Sequence, residues 1–151
     1  MDKKPRVLFL SRGGASRGLM AEGFLRLAAG DRFDPVSAGT EAGDVNPLAE
    51  EVMRELGIDI SAQTPNAVAT IFRNTFQFVV ALCDESHERY PLFPFTGKLL
   101  RWSIPDPEAE AGGLEEQKQA FRRVRDQLRN RVEEWVRAKK AAVAIVRRAA
   151  A

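Results

Sequence analysis

Apolar residues along this chain fall into short continuous runs and helix-period stripes, in alternation. Val7-Leu8-Phe9-Leu10 is too short a run for a helix. It is cut off by Ser11-Arg12-Gly13-Gly14-Ala15-Ser16-Arg17-Gly18, and a helix-period pattern follows from Leu19 to Leu27. The reading is strand, tight loop, helix. Phe33 to Ser37 predicts a second short strand, and Gly39 to Asn46 a polar loop. Asn46 then caps a helix that Pro47 opens, with Leu48, Val52, Met53 and Leu56 on one face and Gly57 as its stop. Ile58 and Ile60 lead to a second cap at Thr64-Pro65 and a short helix carrying Val68, Ile71 and Phe72.

Phe78-Val79-Val80-Ala81-Leu82 is the most continuously apolar run, which predicts a central strand buried on both faces and ending at Cys83. Asp84 to Gly97 reads as a loop or short helix with two prolines, and Lys98 to Ser103 as the last strand. Ile104 to Gly113 is a Pro/Gly/acidic loop. From Leu114 a long helix places Phe121, Val124, Leu128, Val132 and Trp135 at the spacing of a packing face. Residues 138–151, rich in alanine, extend that helix or fray.

This alternation implies an α/β fold, a four-stranded parallel sheet with helices on both faces, in a single domain spanning 1–151. The 151 residues suffice for one proper core and not for two. The basic N-terminus is followed by only four apolar residues, so neither a signal peptide nor a membrane span is expected, and the protein is expected to be cytoplasmic. A net charge of +2 does not argue for nucleic acid. Arg122, Arg123 and Arg125, with Arg137, Lys139 and Lys140, read as a solvated helix face. One cysteine, Cys83, with one histidine, His87, forms no internal disulfide and falls short of a zinc ligand set. Neither a metal nor a cofactor is called for.

The chemistry points to the first loop. A loop that opens a helix offers unpaired backbone N–H groups to an anion, and the helix dipole adds partial positive charge there. Gly13 and Gly14 let successive N–H groups from Arg12 to Ser16 converge as a nest. The fork of Arg17 can hold two oxygens of a tetrahedral anion at once. In open α/β sheets ligands sit beyond the carboxyl ends of strands. The Ser11 loop, Cys83 and Asp106 all follow predicted strands, so they can meet in one crevice although they lie far apart in sequence.

Ser11 and Arg17 are separated by five residues, and Met20-Ala21-Glu22-Gly23, Ser37-Ala38-Gly39-Thr40 and Trp102-Ser103-Ile104-Pro105-Asp106-Pro107 follow in order. From about Arg6 to about Val136 the chain resembles the low-molecular-weight protein tyrosine phosphatases and the similar thioredoxin-coupled arsenate reductases. The resemblance implies a phosphotyrosine phosphatase I-like fold and an oxyanion site at Arg12, Gly13, Gly14, Ala15, Ser16 and Arg17. Phosphate, arsenate or sulfate are the expected ligands, with a phosphoprotein as a further candidate, and neither nucleic acid nor membrane as a partner. It also implies a cysteine nucleophile where Ser11 stands. A serine hydroxyl is a far weaker acid than a thiol, and the motif holds no histidine or lysine to take its proton, so Ser11 is expected to be inert. An engineered trap and natural divergence both account for the serine. Divergence is favoured because Gly14 and Gly18 also depart from the asparagine and serine of the family pattern.

By the same resemblance Asp106, between two prolines, is the general acid that protonates the leaving oxygen; the bland alternative is a turn cap. The phosphatases carry an aromatic residue soon after this Asp-Pro, whereas Glu108-Ala109-Glu110 follows here, which tilts the likeness toward the arsenate reductases. Cys83 resembles the second redox cysteine of the reductases, with Tyr90 where the third is expected. With Ser11 and Tyr90 in two of the three places, a thioredoxin-coupled relay cannot run within the chain. The simpler reading of Cys83 is a small buried residue at a strand end. The sequence therefore leaves two functions open: a catalytically impaired oxyanion-binding protein, or an active phosphatase or arsenate reductase whose cysteine has been replaced.

Overall fold

Strand β1, Arg6–Ser11, is buried from Val7 to Ser11 because it lies in the middle of a parallel sheet. The computed structural model describes residues 3–11, 16–40, 44–71, 73–84 and 97–150. Among these, β2 (Asp34–Gly39) and β4 (Phe78–Ala81) pair with β1 on either side, and β3 (Asn66–Ala67) and β5 (Lys98–Arg101) form the edges. The order is β3-β2-β1-β4-β5, all parallel. The register sets Ser11 opposite Gly39, and Leu10 opposite Ala81. All three inner strands therefore reach the same edge of the sheet.

The sheet thus has five strands among the described residues, where the apolar pattern predicts four. The additional strand is two residues long, and hydrophobic periodicity cannot reveal so short an element. It forms by backbone pairing with Ala38 and Gly39, helped by Asn66 Nδ2 donating to the Ser37 carbonyl at 3.1 Å. The second strand starts one residue later than predicted and runs on to Gly39, and the last ends at Arg101. The predicted loop between Asp84 and Gly97, including His87 and Tyr90, lies outside the described residues apart from its ends.

Both faces of the sheet are covered, which is why β1 and β4 read as continuous apolar runs. On one face Val7, Phe9 and Val80 meet α1 (Ser16–Ala29), α2 (Pro47–Arg54) and α4 (Leu114–Ala150). On the other, Leu8, Leu10 and Val79 pack with Phe76 and with Ile71 of the single-turn helix α3 (Val68–Ile71). Helix α2 begins as its sequence dictates: Asn46 Oδ1 accepts from Leu48 N–H at 2.9 Å, and Pro47 follows at the first helical position. Beyond its end Gly57 takes φ +75°, and Ile58 N–H returns to the Met53 carbonyl at 3.1 Å.

Helix α4 buries Phe121, Val124, Leu128 and Val132, and its Trp135 ring lies 4.9 Å from that of Phe33 and 5.2 Å from that of Phe78. The helix continues unbroken to Ala150, where Val143, Ile145 and Val146 are exposed. No helix among the described residues is long and apolar enough to cross a membrane.

The basic run on α4 departs from a purely solvated face. Arg125 is buried, donating through Nη1 to the Val52 carbonyl at 3.0 Å and to Glu55 Oε1 at 2.7 Å; Arg122 grips Glu55 with two nitrogens. The arginines bridge α4 to the end of α2, a long-range pairing that local composition does not show. The pair holds Glu55 down to about 2, through hydrogen bonding to Arg122 and then to Arg125. A carboxyl depressed on folding stabilises the native state above its ordinary value, 4.5, and that contribution is lost as pH falls toward 2. Glu55→Gln is therefore expected to lower Tm at neutral pH, with the difference from the parent shrinking across that acid window. A thermal melt series in pH measures it, and a difference that stays constant would contradict the linkage.

Candidate functional site

Arg17 is 2% exposed, and its Nη1 donates to the carbonyls of Leu82 and Ile104, each at 3.0 Å. Leu82 lies one residue past β4, and Ile104 three residues past β5. One guanidinium therefore ties the first turn of α1 to the segments that leave two strands. A permanent charge this deeply buried requires such acceptors, and the anchoring fixes the plane of the fork. Ser11 closes β1 with 0% exposure, its carbonyl accepting from Thr40 N–H at 3.2 Å. Cys83, immediately beyond Leu82, is also fully buried.

At the carboxyl edge of the sheet the end of β1 at Ser11, the Arg17 guanidinium and the Leu82-Cys83 and Ile104 segments that follow β4 and β5 are brought together, all of them buried. Residues Arg12, Gly13, Gly14 and Ala15 lie outside the described residues. Helix α1 carries no acidic residue in its first turn, whereas α2 has Glu50 and α4 has Glu115 and Glu116. The first turn of α1 has no acid of its own, and the Glu108 carboxylate, accepting from Ser16 Oγ at 2.7 Å, supplies the negative charge at that terminus.

Gly18 packs tightly. A Cβ there would lie 3.1 Å from Ser37 Cβ, 3.2 Å from the Phe9 carbonyl oxygen and 3.8 Å from Ser11 Oγ. A hydroxyl at 18 would reach residue 11, at the expense of a small displacement of the Ser37 side.

Asp106 caps the 3₁₀ turn Pro107–Ala109, its Oδ1 accepting from Glu108 N–H at 3.0 Å. The capping role is real, and it holds the carboxylate in a fixed place. A pocket of about 510 Å³ opens between this turn and α4, with Asp84, Asp106, Arg123 and Gln127 on its wall. A larger one, about 710 Å³, lies along α1 beside Glu22, Arg26, Asp59 and Gln63. Burial pushes the Glu22 carboxyl up, and the Arg26 guanidinium at 3.0 Å opposes this.

Sequence reasoning missed two features. The Leu82 and Ile104 carbonyls serve the site through the backbone and leave no mark in residue type. Glu108 stands out in the sequence only as the absence of an aromatic residue. In the structure its Oε1 accepts from Ser16 Oγ at 2.7 Å and from Asn46 Nδ2 at 3.1 Å. Among the described residues, no group of three or more His, Cys, Asp or Glu is placed to hold a metal ion.

An open parallel sheet with helices on both faces, a helix starting at Ser16 after the middle strand ends at Ser11, and a buried arginine at the strand ends define an α/β protein of the doubly covered kind. Its particular kind follows from comparison. Residues 6–145 match the low molecular weight phosphotyrosine protein phosphatase family, and the chain belongs to it. The arsenate reductase of Bacillus subtilis (strain 168) is 41% identical over 130 residues, covering 85% of this chain and 93% of that protein. A solved arsenate reductase in the phosphate binding state superposes with a TM-score of 0.73 at 29% identity, over 89% of this chain and 98% of that one. A solved protein tyrosine phosphatase shares the fold, with a TM-score of 0.68 at 18% identity over 89% and 95% of the two chains.

Proposed function

We propose that this chain is a catalytically impaired family member, cytoplasmic, that binds a phosphate-like oxyanion in the loop from Ser11 to Arg17 and acts as a binding or regulatory module. The observation that carries the reading is Arg17: a guanidinium sunk at the carboxyl edge of the sheet, in the first turn of α1, and locked by two carbonyls. A preorganised fork and a helix N-terminus together suit a tetrahedral anion. That a relative was solved in a phosphate binding state supports the same ligand class. Ser11 supports the loss of turnover, since a hydroxyl is a far weaker acid than a thiol and the motif holds no histidine or lysine to take its proton. Titration calorimetry with inorganic phosphate and arsenate, alongside an aryl phosphatase assay, tests the proposal. Binding without turnover is expected, and absence of binding would overturn it.

The retained Asp106, fixed at the same edge, favours a second reading in which the parental form carries cysteine at 11 and works as a phosphatase or arsenate reductase. The redox branch has its own measurement. With one cysteine in the chain, and that one buried, incubation with arsenate and thioredoxin is expected to leave the thiol count per monomer unchanged. Steady production of arsenite by the protein as it stands would refute this.

A further inference from the structure

We infer that the end of α4, from Arg137 to Ala150, is a docking arm for an acidic amphipathic helix of a partner protein. The inference stands apart from the oxyanion reading and uses none of its residues. Within the domain α4 is buried along one line, at Leu128, Val132 and Val136, and Val136 is its last residue in the core. Lys139 marks where the helix leaves: its Nζ lies 4.5 Å from the centre of the Phe78 ring and 5.6 Å from that of Trp135, and Phe78 opens β4 at the amino edge of the sheet. The helix runs on for about 20 Å beyond Val136. Along it Val143, Val146 and Ala150 follow Val136 and Lys139 at steps of three and four, so they continue the buried line in the same phase. Yet Val132 is 0% and Val136 8% exposed, whereas Val143 is 50% and Val146 67% exposed. The packing stripe outlasts the domain it packs against.

The chemistry of the arm selects its occupant. Arg137, Lys139, Lys140, Arg147 and Arg148 are its charged residues, and no acidic residue follows Glu134. Lys140 and Arg147 border the stripe, three residues before Val143 and four after it, the flanking place in a heptad where charge chooses the partner. Lys4, whose Nζ donates to the Gly30 carbonyl at 2.9 Å, and Lys98, which opens β5, add positive charge at the same edge. A second copy of the chain is a poor occupant, because two paired arms set basic borders side by side without a carboxylate. A flat lipid surface fits no better. The stripe faces the side on which the domain stands, so a bilayer laid along it meets the amino edge of the sheet. Nucleic acid would engage the bases and leave the stripe uncovered. A helix with apolar residues at the same spacing and acids on its flanks covers the stripe and pairs the bases together. The arm is prepared for it: an alanine-rich helix holds without tertiary packing, so binding adds little ordering cost.

The test uses the full chain and two labelled synthetic helices, followed by fluorescence anisotropy. One carries leucine at heptad a and d positions and glutamate at e and g; the other replaces the glutamates with lysines. The chain is expected to bind the acidic peptide, less tightly as salt is raised, and to bind the basic one at least roughly tenfold more weakly. Val143→Ala with Val146→Ala keeps the helix and removes apolar surface, and should weaken the acidic peptide by roughly tenfold. Lys140→Glu with Arg147→Glu should invert the preference between the peptides. Both pairs lie past the core, so Tm should stay at the parental value. Failure to bind either peptide, equal binding of the two, or a charge reversal that leaves the preference in place overturns the inference. So does binding of phosphatidylglycerol vesicles or single-stranded RNA in preference to the acidic peptide, or dimerisation that the Val143, Val146 variant loses, since each assigns the arm to another occupant.

Discussion

Replacing Arg17 by alanine is expected to abolish phosphate and arsenate binding and to destabilise the fold together. The binding loss follows from the chemistry of the loop: without the guanidinium only backbone dipoles remain, and charge-assisted bonds are about twice as strong as neutral ones. The stability loss follows from packing. Arg17 is among the largest fully buried side chains, and its Nη1 satisfies two carbonyls at 3.0 Å. Truncation leaves those carbonyls without that donor and opens a cavity between α1 and the ends of two strands. Hydrogen bonds to a charged group contribute about 1.5–3 kcal/mol each and are not additive, so a loss of roughly 3 kcal/mol or more is expected. Arg17→Lys retains the charge and loses the fork, and should recover part of the stability and little of the binding. Calorimetry and denaturant melts on the three proteins decide the matter. Equal anion affinity in parent and Arg17→Ala would remove the basis for the site.

The second large effect concerns residue 11. The protein as it stands is expected to hydrolyse an aryl phosphate no faster than a background that Arg17→Ala leaves unchanged. Ser11→Cys should restore measurable, weak turnover, because a thiol at the end of β1 lies in the field of a helix N-terminus that lowers its pKa. Adding Gly18→Ser should raise that rate by placing a hydroxyl near the thiolate, since a Cβ at 18 lies 3.8 Å from the Oγ of Ser11. The same Cβ lies 3.1 Å from Ser37 Cβ, so a stability loss of about 1–3 kcal/mol is expected with the gain. Asp106→Asn keeps an Oδ1 to cap Glu108 N–H and removes only the proton. In the Ser11→Cys protein it should therefore lower the rate by ~10²-fold or more without moving the turn. If Ser11→Cys binds phosphate yet stays at background, the loop has lost its catalytic geometry and only the binding function stands. Turnover by the unaltered protein that disappears in Ser11→Ala would show that the serine itself is a nucleophile.

What the sequence determined by itself is the part of the protein encoded in local periodicity and side-chain type. The runs Val7 to Leu10 and Phe78 to Leu82 announced doubly buried strands, because a strand covered on both faces has no polar alternation to keep. Asn46-Pro47 and Gly57 bounded α2, because capping and the left-handed turn are set by the residues that perform them. Ser11 and Arg17 could be singled out because they stand in one contiguous motif, and Asp106, far along the chain, only through the resemblance of its Pro-Asp-Pro segment to the family pattern. Tertiary structure decided whatever depends on backbone atoms or on pairs far apart in the chain. The strand Asn66–Ala67 exists through its register with Ala38 and Gly39. Arg125 left the solvated face for Glu55 and the Val52 carbonyl. The carbonyls that lock Arg17 and the hydrogen bonds of Glu108 with Ser16 and Asn46 span separations of 65, 87, 92 and 62 residues. No local pattern can record contacts at that range, because the sequence states which groups can bond and only the packed sheet and helices bring them within reach.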